Sequence, residues 1–306
     1  DSVVHVYAPD GPELKEQLRF IQQYNTRADA PTHWSEDVYK GPDFLDKMVQ
    51  EKKGNVVVMA GNNLRKTEYI KKAVDAGMNV LADKPMAIST TGFDLLQQTF
   101  EEAKEKKVLL YDIMTERSEI TNILQGELSR VNNVFGDQQQ GTDKDPGVVM
   151  ESVHMFYKYV SGKALTRPGW FFDAEQQGDA IVDVGTHLVD LVQWETFPGV
   201  AIDYNTDIKM SSARTWTTPV TLSQFKVITG LDGFLDYLKK YTKDTVLNVH
   251  ANGEANYTLK DVHVKVTALW HYTGEEGSGD THYSMLRGTK SNLVIRQGKE
   301  EKYEPT

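Results

Sequence analysis

The chain has 306 residues, of which 39% are hydrophobic and 25% charged, a composition that is typical of a globular protein and excludes a disordered one. Its formal charge of −10 argues against a nucleic-acid partner, because a phosphate-binding face needs clustered Lys and Arg residues. No cysteine is present, which excludes disulfides, thiolate chemistry and Cys-zinc sites.

The first 113 residues alternate between strand and helix patterns. Short β-branched runs predict strands, and apolar residues at helical spacing predict helices. The strands are predicted at 3–7, 56–59, 80–82 and 108–113, and the helices near 14–21 and at 44–51, 67–76 and 91–106. The strand at 56–59 is apolar on both faces, as in a covered parallel sheet, whereas residues 26–43 look irregular. This alternation predicts βαβ units and a doubly wound α/β sheet.

The second half of the chain follows a different pattern. Helices are predicted at 115–130 and 181–197, and alternating stretches at 246–257, 262–271 and 282–287 predict antiparallel strands. The composition of residues 273–280 indicates a flexible hairpin loop. We therefore expect an α/β domain over residues 1–115 and an α+β domain over residues 116–306, the latter with an open, mostly antiparallel sheet.

The sequence gives little information on compartment. No apolar run approaches the 18 residues of a membrane span and no signal peptide is visible at Asp1, so no membrane partner is expected. A cysteine-free chain is compatible with the cytoplasm or the periplasm of a bacterium. Because the sequence begins at Asp1 without an initiator Met, we expect that a segment upstream has been removed.

Polar residues follow three of the predicted strands, at the edge where doubly wound sheets bind their ligands. Gly61-Asn62-Asn63 follows the strand at 56–59, Asp83-Lys84-Pro85 follows the strand at 80–82, and Met114-Thr115-Glu116-Arg117 follows the strand at 108–113. A lone lysine at a strand end is more often a surface residue than a catalytic one. Pro85 restricts the backbone of Lys84, however, and so directs its side chain.

A second group of polar residues lies in "GDAIVDVGTHLVDLVQW", residues 178–194. Asp183 and His187 are four residues apart, which places them on one face of a helix, and Asp190 adds a third polar group on that flank. Their neighbours are apolar, so burying the pair is costly unless it has a partner or a function. Two interpretations fit: a functional pair, or a helix cap at Asp183 with a core histidine at His187. No metal site is predicted, because the pair supplies only two ligands.

Both stretches resemble signatures of the Gfo/Idh/MocA oxidoreductases, the family of glucose–fructose oxidoreductase and inositol dehydrogenase. "AGMNVLADKPMAIS" resembles "AGKHVLxEKPxA", and "GDAIVDVGTHLVDLVQW" resembles "GGGxLxDxGxHxxDL", in the right order and at the right separation. The similarity runs from Val3 to about Gln297. It implies an N-terminal Rossmann domain that binds NAD or NADP, an α+β substrate domain, and a homo-oligomer formed through the open C-terminal sheet.

The resemblance also implies roles for individual residues. Lys84 stands at the position of the family's catalytic lysine, and His187 at the position of its catalytic histidine. Asp183 stands at the position of the substrate-binding aspartate, and we group it with these two as a catalytic residue. The remaining assignments are cofactor contacts from Gly61, Asn62, Asn63, Asp83, Lys84 and Pro85, and substrate contacts from Arg117, Arg167 and Trp170. Trp170 is equally well interpreted as a core residue.

The sequence departs from the family pattern in several places. Asp83 replaces a Glu, Lys66 stands where a His is usual, and no G-x-G-x-x-G is present. The first strand, phosphate-binding loop and first helix of a Rossmann fold are therefore expected to be missing, and the C-terminal tail also looks curtailed. Asp10 lies two positions beyond the usual ribose-binding acid, where Ala8 stands, so NAD and NADP are not distinguished.

The resemblance predicts hydride transfer between a nicotinamide cofactor and a secondary hydroxyl of a sugar, glycoside or cyclitol. The His187 imidazole is suited to accept the hydroxyl proton, because the ordinary pKa of a histidine is about 6.5. Lys84 would stabilise the negative charge that develops on the oxygen. Some family members instead cleave glycosides through a transient 3-keto sugar, and a relative that has lost catalysis is a further alternative. A purely structural role for Lys84 and His187 is the remaining possibility.

Overall fold

A computed structural model of the chain describes residues 2–160, 163–274 and 277–306. The chain divides into two units, Asp1–Ile113 and Met114–Thr306, which are described separately below. The boundary predicted between residues 115 and 116 lies two residues further along the chain.

The first unit alternates strands with helices. The strands are β1 (His5–Ala8), β2 (Asp37–Lys40), β3 (Val56–Met59), β4 (Asn79–Asp83) and β5 (Leu110–Ile113), and the helices are α1 (Pro12–Thr26), α2 (Phe44–Glu51), α3 (Lys66–Asp75) and α4 (Thr90–Lys106). All pairings are parallel: β1 pairs with β2, and β4 lies between β3 and β5. The prediction that residues 26–43 are irregular missed β2, since only pairing with β1 makes this short polar segment a strand.

One face of the β3–β4–β5 sheet carries the core of the first unit. Val57, Val80, Ala82 and Leu110 are buried there with apolar residues of α2, α3 and α4. The opposite face is not covered by the described residues, and Val58 is 66% exposed. The expectation of a sheet covered on both faces at 56–59 is therefore wrong for this chain, because all the packed helices use the Val57 face.

The second unit contains one large sheet with helices on one side. Its strands are β6 (Gly141–Thr142), β7 (Asp145–Pro146), β8 (Val148–Met155), β9 (Tyr159–Val160), β10 (Lys163–Ala164), β11 (Ile208–Thr221), β12 (Thr242–Lys243), β13 (Val246–Leu259), β14 (Val262–His271), β15 (Thr281–Arg287) and β16 (Asn292–Gln297). Its α-helices are α5 (Ile120–Ser129), α6 (Ala174–Gln177), α7 (Ala180–Asp183), α8 (Gly185–Thr196) and α9 (Leu222–Thr229), with 3₁₀ turns at Thr115–Ser118, Gly169–Phe172 and Asp236–Tyr241.

The strand order of the large sheet is β11-β13-β14-β8-β15-β16, and β12 pairs with β13. The pair β8 and β14 is parallel, and the other described pairings are antiparallel. An α/β Rossmann-like unit followed by an α+β unit with an open, mostly antiparallel sheet is thus confirmed. Alternation at 246–257, 262–271 and 282–287 correctly predicted β13, β14 and β15.

Two predictions for the second unit need correction. The helix predicted at 181–197 is divided at Val184 into α7 and α8. The stretch at 273–280 does not close a hairpin, because β8 lies between β14 and β15 in the sheet. Residues 275 and 276 of that stretch lie outside the described residues.

One part of the core of the second unit lies between the sheet and helix α8, and a second part surrounds Phe172 and Phe225. Alternate residues of each strand face the helices, which follows from the two-residue period of a strand. Those that are almost fully buried against α8 include Val148, Met150, Val264, Val266 and Leu286 of the sheet and Leu188, Leu191 and Val192 of the helix.

Helix α5 has its apolar stripe on the outside. Ile120 and Leu124 are 61% and 51% exposed, whereas Asn122 and Gln125 are buried. The Gln125 amide is satisfied there, since Nε2 donates to the Leu293 carbonyl at 3.0 Å and Oε1 accepts from Ser284 Oγ at 2.7 Å. The apolar spacing predicted the helix correctly but not the face that it buries.

Glu195, on α8, is a buried acid for which the described residues supply no counter-ion. Its side chain packs against Gly126 of α5, and the residue is 1% exposed. Among the described residues, neither of its carboxylate oxygens has a hydrogen-bond partner. Burial raises the pKa of Glu195 to about 8, so the folded protein holds this carboxyl protonated at neutral pH.

We expect Glu195→Gln to remove a pH dependence of stability. A carboxyl whose pKa is higher in the folded state stabilises that state at low pH, and this contribution disappears as the pH rises from about 4.5 towards 8. The variant should therefore gain about 2–3 kcal/mol relative to the wild type between pH 5.5 and pH 8.5, measured by urea unfolding. Glu127→Gln on the exposed side of α5 is the control, and an equal effect at both pH values would contradict the assignment.

Candidate active site

The carboxyl end of β3 leads into an open glycine turn. Gly61 has a φ of 105°, and a Cβ built on it would meet no atom within 4 Å. Asn62 Oδ1 accepts a hydrogen bond from the Leu64 backbone N–H at 2.9 Å, and Asn63 is buried. A turn with an exposed backbone at this edge, where a Cβ on Gly61 would meet nothing within 4 Å, fits close approach of a dinucleotide.

The segment after β4 is fixed by the first turn of α3. Lys66 is buried, and its Nζ donates to the Asp83 carbonyl at 3.0 Å. Thr67 Oγ1 donates to the Met86 carbonyl at 2.7 Å. These two bonds hold the backbone on both sides of Lys84, which is itself half-buried. Lys66 therefore has a structural role that the sequence did not indicate.

In the second unit, Asp183 and His187 lie on either side of the break between α7 and α8. The N-cap of α7 is Asp179, whose Oδ1 accepts from the backbone N–H groups of Ile181 and Val182 at 3.1 and 3.2 Å. The interpretation of Asp183 as a helix cap is therefore wrong. Asp183 ends α7 and is buried, and the His187 N–H donates to the Val184 carbonyl at 3.1 Å, a 3₁₀-type bond across the break.

Arg167 is a buried cation that fixes the end of β8. It is 9% exposed, and its Nε and Nη2 donate to the carbonyls of Phe156 and Met155 at 2.9 and 3.0 Å. Its guanidinium lies over the rings of Phe171 and Trp270, 4.5 and 4.8 Å from their centroids.

The charge of Arg167 is retained despite its burial. Burial lowers the pKa of Arg167 to about 10, while the negative charges of Asp280 and Asp183 act in the opposite direction. The guanidinium therefore stays protonated at neutral pH and lies within electrostatic range of both carboxylates. Arg167 lies over Phe171 and Trp270, which line a cleft together with Asp183, so these two predicted site residues border the same aromatic cluster.

A group that the sequence did not indicate surrounds Asp280. Its Oδ1 accepts from the Met155 N–H at 3.1 Å, and its Oδ2 contacts His154 Nδ1 at 2.9 Å and also Lys158 Nζ. Burial alone would raise the pKa of Asp280, but the bonds from His154 and Lys158 outweigh it and lower the pKa to about 2. Sequence patterns missed Asp280 because it lies in a stretch with the composition of a loop. They missed His154 because the strand β8 was not predicted.

A neighbouring histidine is neutral. His282 of β15 pairs with Ser152 of β8, and the His282 Nδ1 atom lies 2.9 Å from Ser152 Oγ. Burial lowers the pKa of His282 to about 4, and the charge of His154 acts in the same direction. The polar end of the sheet face thus contains two histidines in different environments.

A small cleft opens beside Asp183. Its walls include the aromatic rings of Phe156, Phe171, Phe172 and Trp270, and Asp179 and Asp183 supply carboxylates. Aromatic walls with a few polar groups are typical of small-molecule sites.

The other predicted substrate residues lie elsewhere in the second unit. Arg117 is in the 3₁₀ turn Thr115–Ser118, and its guanidinium forms a two-point ion pair with Asp190 of α8, with Nε 2.7 Å from Oδ2. Trp170 is half-buried in the 3₁₀ turn Gly169–Phe172. Their contacts with a substrate stay predictions.

No helix among the described residues is long and apolar enough to cross a lipid bilayer. Nor do they contain a group of three or more His, Cys, Asp or Glu side chains arranged to hold a metal ion.

Comparison with protein-family models assigns both units. Residues 3–111 match the family described as "Oxidoreductase family, NAD-binding Rossmann fold", and residues 124–306 match the "Putative oxidoreductase C terminal domain". The chain belongs to the Gfo/Idh/MocA oxidoreductase family. The family assignment from the two signatures is therefore confirmed, as is NAD as the class of cofactor that the first unit binds.

Solved structures of similar proteins are consistent with this family assignment. A "putative oxidoreductase" from Parabacteroides merdae is 54% identical, with a TM-score of 0.96 over 99% of this chain and 69% of that one. Levoglucosan dehydrogenase in complex with NADH is 12% identical, with a TM-score of 0.59 over 99% of this chain and 65% of that one. The WlbA dehydrogenase from Bordetella pertussis, in complex with NADH and UDP-GlcNAcA, is 15% identical, with a TM-score of 0.54 over 97% of this chain and 74% of that one.

The last two likenesses show the fold alone. Among curated proteins, the search finds no sequence that matches this oxidoreductase.

We expect Arg167→Lys to destabilise the second unit by about 2 kcal/mol, because an ammonium cannot reproduce the two carbonyl bonds and the ring contacts of the guanidinium. Urea unfolding at pH 7 measures the change. Arg214→Lys is a matched control, since Arg214 also lies over a tryptophan, Trp216, but is solvent-exposed. Equal small losses in both variants would show that Arg167 does not stabilise the end of β8.

Proposed function

We propose that this oxidoreductase transfers a hydride between NAD or NADP and a secondary hydroxyl of a sugar, glycoside or cyclitol. The observation that carries the proposal is the position of Asp183, buried beside a cleft with aromatic walls and within electrostatic range of Arg167. Two structural relatives support the substrate class, because one is a levoglucosan dehydrogenase and the other is a dehydrogenase in complex with UDP-GlcNAcA.

The chemistry needs one proton acceptor and one cation at the reacting oxygen. In the proposal, the His187 imidazole removes the hydroxyl proton and the Lys84 ammonium stabilises the negative charge that develops on the oxygen. Asp183 orients the substrate by accepting a hydroxyl hydrogen bond. A bound nicotinamide supplies the hydride acceptor.

The cofactor would lie along the carboxyl ends of β3 and β4. The turn at Gly61 leaves room for it, and Lys66 and Thr67 hold the segment after β4 in place. The residues proposed to contact it are Gly61, Asn62, Asn63, Asp83, Lys84 and Pro85. The substrate would in turn contact Arg117, Arg167 and Trp170.

We expect Lys84→Met and His187→Ala to lower kcat by about 10²–10⁴-fold, because each removes a group that acts on the reacting oxygen. The assay follows NADH oxidation at 340 nm by full-length protein with methyl 3-keto-α-D-glucopyranoside. Lys104→Met and His263→Ala, which change exposed or partly exposed residues elsewhere, are the controls. Unchanged turnover in both test variants contradicts the proposed roles.

We also propose that the protein forms a homo-oligomer through its open C-terminal sheet. The edge strand β11 is exposed along most of its length, and an exposed edge is a template for pairing with another chain. Light scattering of the full-length protein should give the mass of a dimer or larger assembly. The mass of a monomer at micromolar concentration contradicts the proposal.

A further inference from the structure

Three tyrosines form an open aromatic surface just beyond the carboxyl ends of β8 and β14. The rings of Tyr157 and Tyr272 lie nearly parallel, at 17° and with 6.3 Å between their centroids. Tyr159 meets Tyr157 edge to face at 5.8 Å, and the hydroxyl oxygens of these two residues are 3.2 Å apart. Tyr159 is 66% exposed, and the other two residues are half-buried. We call these three residues the tyrosine patch.

Backbone hydrogen bonds hold the tyrosine patch in place. The Tyr157 N–H donates to the Tyr272 carbonyl at 2.8 Å, and the Phe156 N–H donates to the His271 carbonyl at 2.9 Å. The two chain segments therefore stay side by side beyond the parallel ladder of β8 and β14. The side chains of Tyr157 and Tyr272 also pack on the part of the core that surrounds Phe172. A ligand that binds to this preformed surface loses little free energy to the ordering of side chains.

The tyrosine patch adjoins the aromatic wall of the cleft beside Asp183. Trp270 lines that cleft and precedes Tyr272 by two residues, the period at which a strand places side chains on the same face. Phe156 also lines the cleft and directly precedes Tyr157. All four aromatic residues belong to one hydrophobic cluster. The small cleft thus holds the carboxylate of Asp183, and the tyrosine patch is the open surface next to it.

The chemistry of the tyrosine patch is suited to a sugar ring. The face of a tyrosine ring is apolar and carries partial negative charge, which complements the C–H groups on the face of a pyranose. Its hydroxyl group donates and accepts hydrogen bonds, as the hydroxyl groups of a sugar do. A protein partner fits less well, because a stable interface buries about 800 Å² on each side. Three partly buried rings, each of at most about 250 Å², supply well under that area.

We propose that the tyrosine patch binds the second sugar of a saccharide substrate, next to the sugar that is oxidised. The inference rests on the proposed function, because it takes Asp183 as the residue that orients the oxidised sugar. It narrows the substrate class from any sugar or cyclitol to a disaccharide or a longer saccharide. No bond is made or broken at the tyrosine patch, so its contribution is to the affinity for the saccharide.

Saturation-transfer NMR with the full-length protein, titrated with matched pairs of saccharides, tests this proposal. Each pair is a disaccharide and the methyl glycoside of its non-reducing sugar: maltose with methyl α-D-glucopyranoside, cellobiose with methyl β-D-glucopyranoside, and lactose with methyl β-D-galactopyranoside. In at least one pair, the wild type should bind the disaccharide about tenfold more tightly than the methyl glycoside. Saturation should then reach the protons of both rings of that disaccharide.

Tyr159→Ala and Tyr272→Ala should each raise the Kd of that disaccharide about tenfold and leave the Kd of its methyl glycoside within about twofold, because only the second sugar loses its contact. Tyr159→Phe keeps the ring and should stay within about threefold of the wild type. Tyr204→Ala is the matched control, since it removes a tyrosine that is 48% exposed in the loop between α8 and β11. It should leave both Kd values unchanged.

The inference is overturned if no disaccharide binds more tightly than its methyl glycoside, or if both alanine variants keep the wild-type Kd for the disaccharide. An equal loss of affinity for both ligands also overturns it, because that pattern indicates a structural role. Dissociation of an oligomer by Tyr159→Ala, measured by light scattering, would identify the tyrosine patch as a protein contact instead. Failure of the proposed function appears separately, as unchanged turnover in Lys84→Met and His187→Ala, since the titrations contain no cofactor and involve no turnover.

Discussion

The arrangement of the second unit depends on one buried guanidinium. Arg167 donates to the carbonyls of Met155 and Phe156, where β8 ends and its ladder has no further strand to satisfy them. The same group lies over Trp270 and balances the charges of Asp183 and Asp280. Removing it would leave two carbonyls and two acids without their shared cation, in a place where burial makes each of them costly. The sheet can therefore change from an apolar core to a polar site within a few residues.

The same sheet face serves two purposes along its length. Near Val148 the side chains are apolar and pack on α8, whereas from Ser152 onward they are polar or aromatic. Because β8 and β14 are parallel, their carboxyl ends lie together, and His154 sits directly beside Trp270. The parallel pair thus brings to an otherwise antiparallel sheet the feature by which α/β sheets form sites: strand ends that meet at one edge.

Sequence patterns predicted the elements whose signal is local. The alternation of strand and helix in the first unit, the strand at 262–271 and the family signatures around Lys84 and Asp183 are all of this kind. The face that α5 buries was not predictable from spacing, because Gln125 is satisfied by residues far along the chain. Asp280 was missed for the same reason: its partners on β8 are distant in sequence, and its own surroundings have the composition of a loop.

The pairing of β8 also sets an order for the assembly of the second unit during synthesis. Val148 pairs with Val264 on one side and Leu286 on the other, so both neighbours of β8 leave the ribosome more than a hundred residues after it. Long-range pairings of this kind slow folding, because a large loop must close before any contact compensates for it. Until then β8 presents two unpaired edges and an apolar face, the kind of surface that chaperones shield in nascent chains.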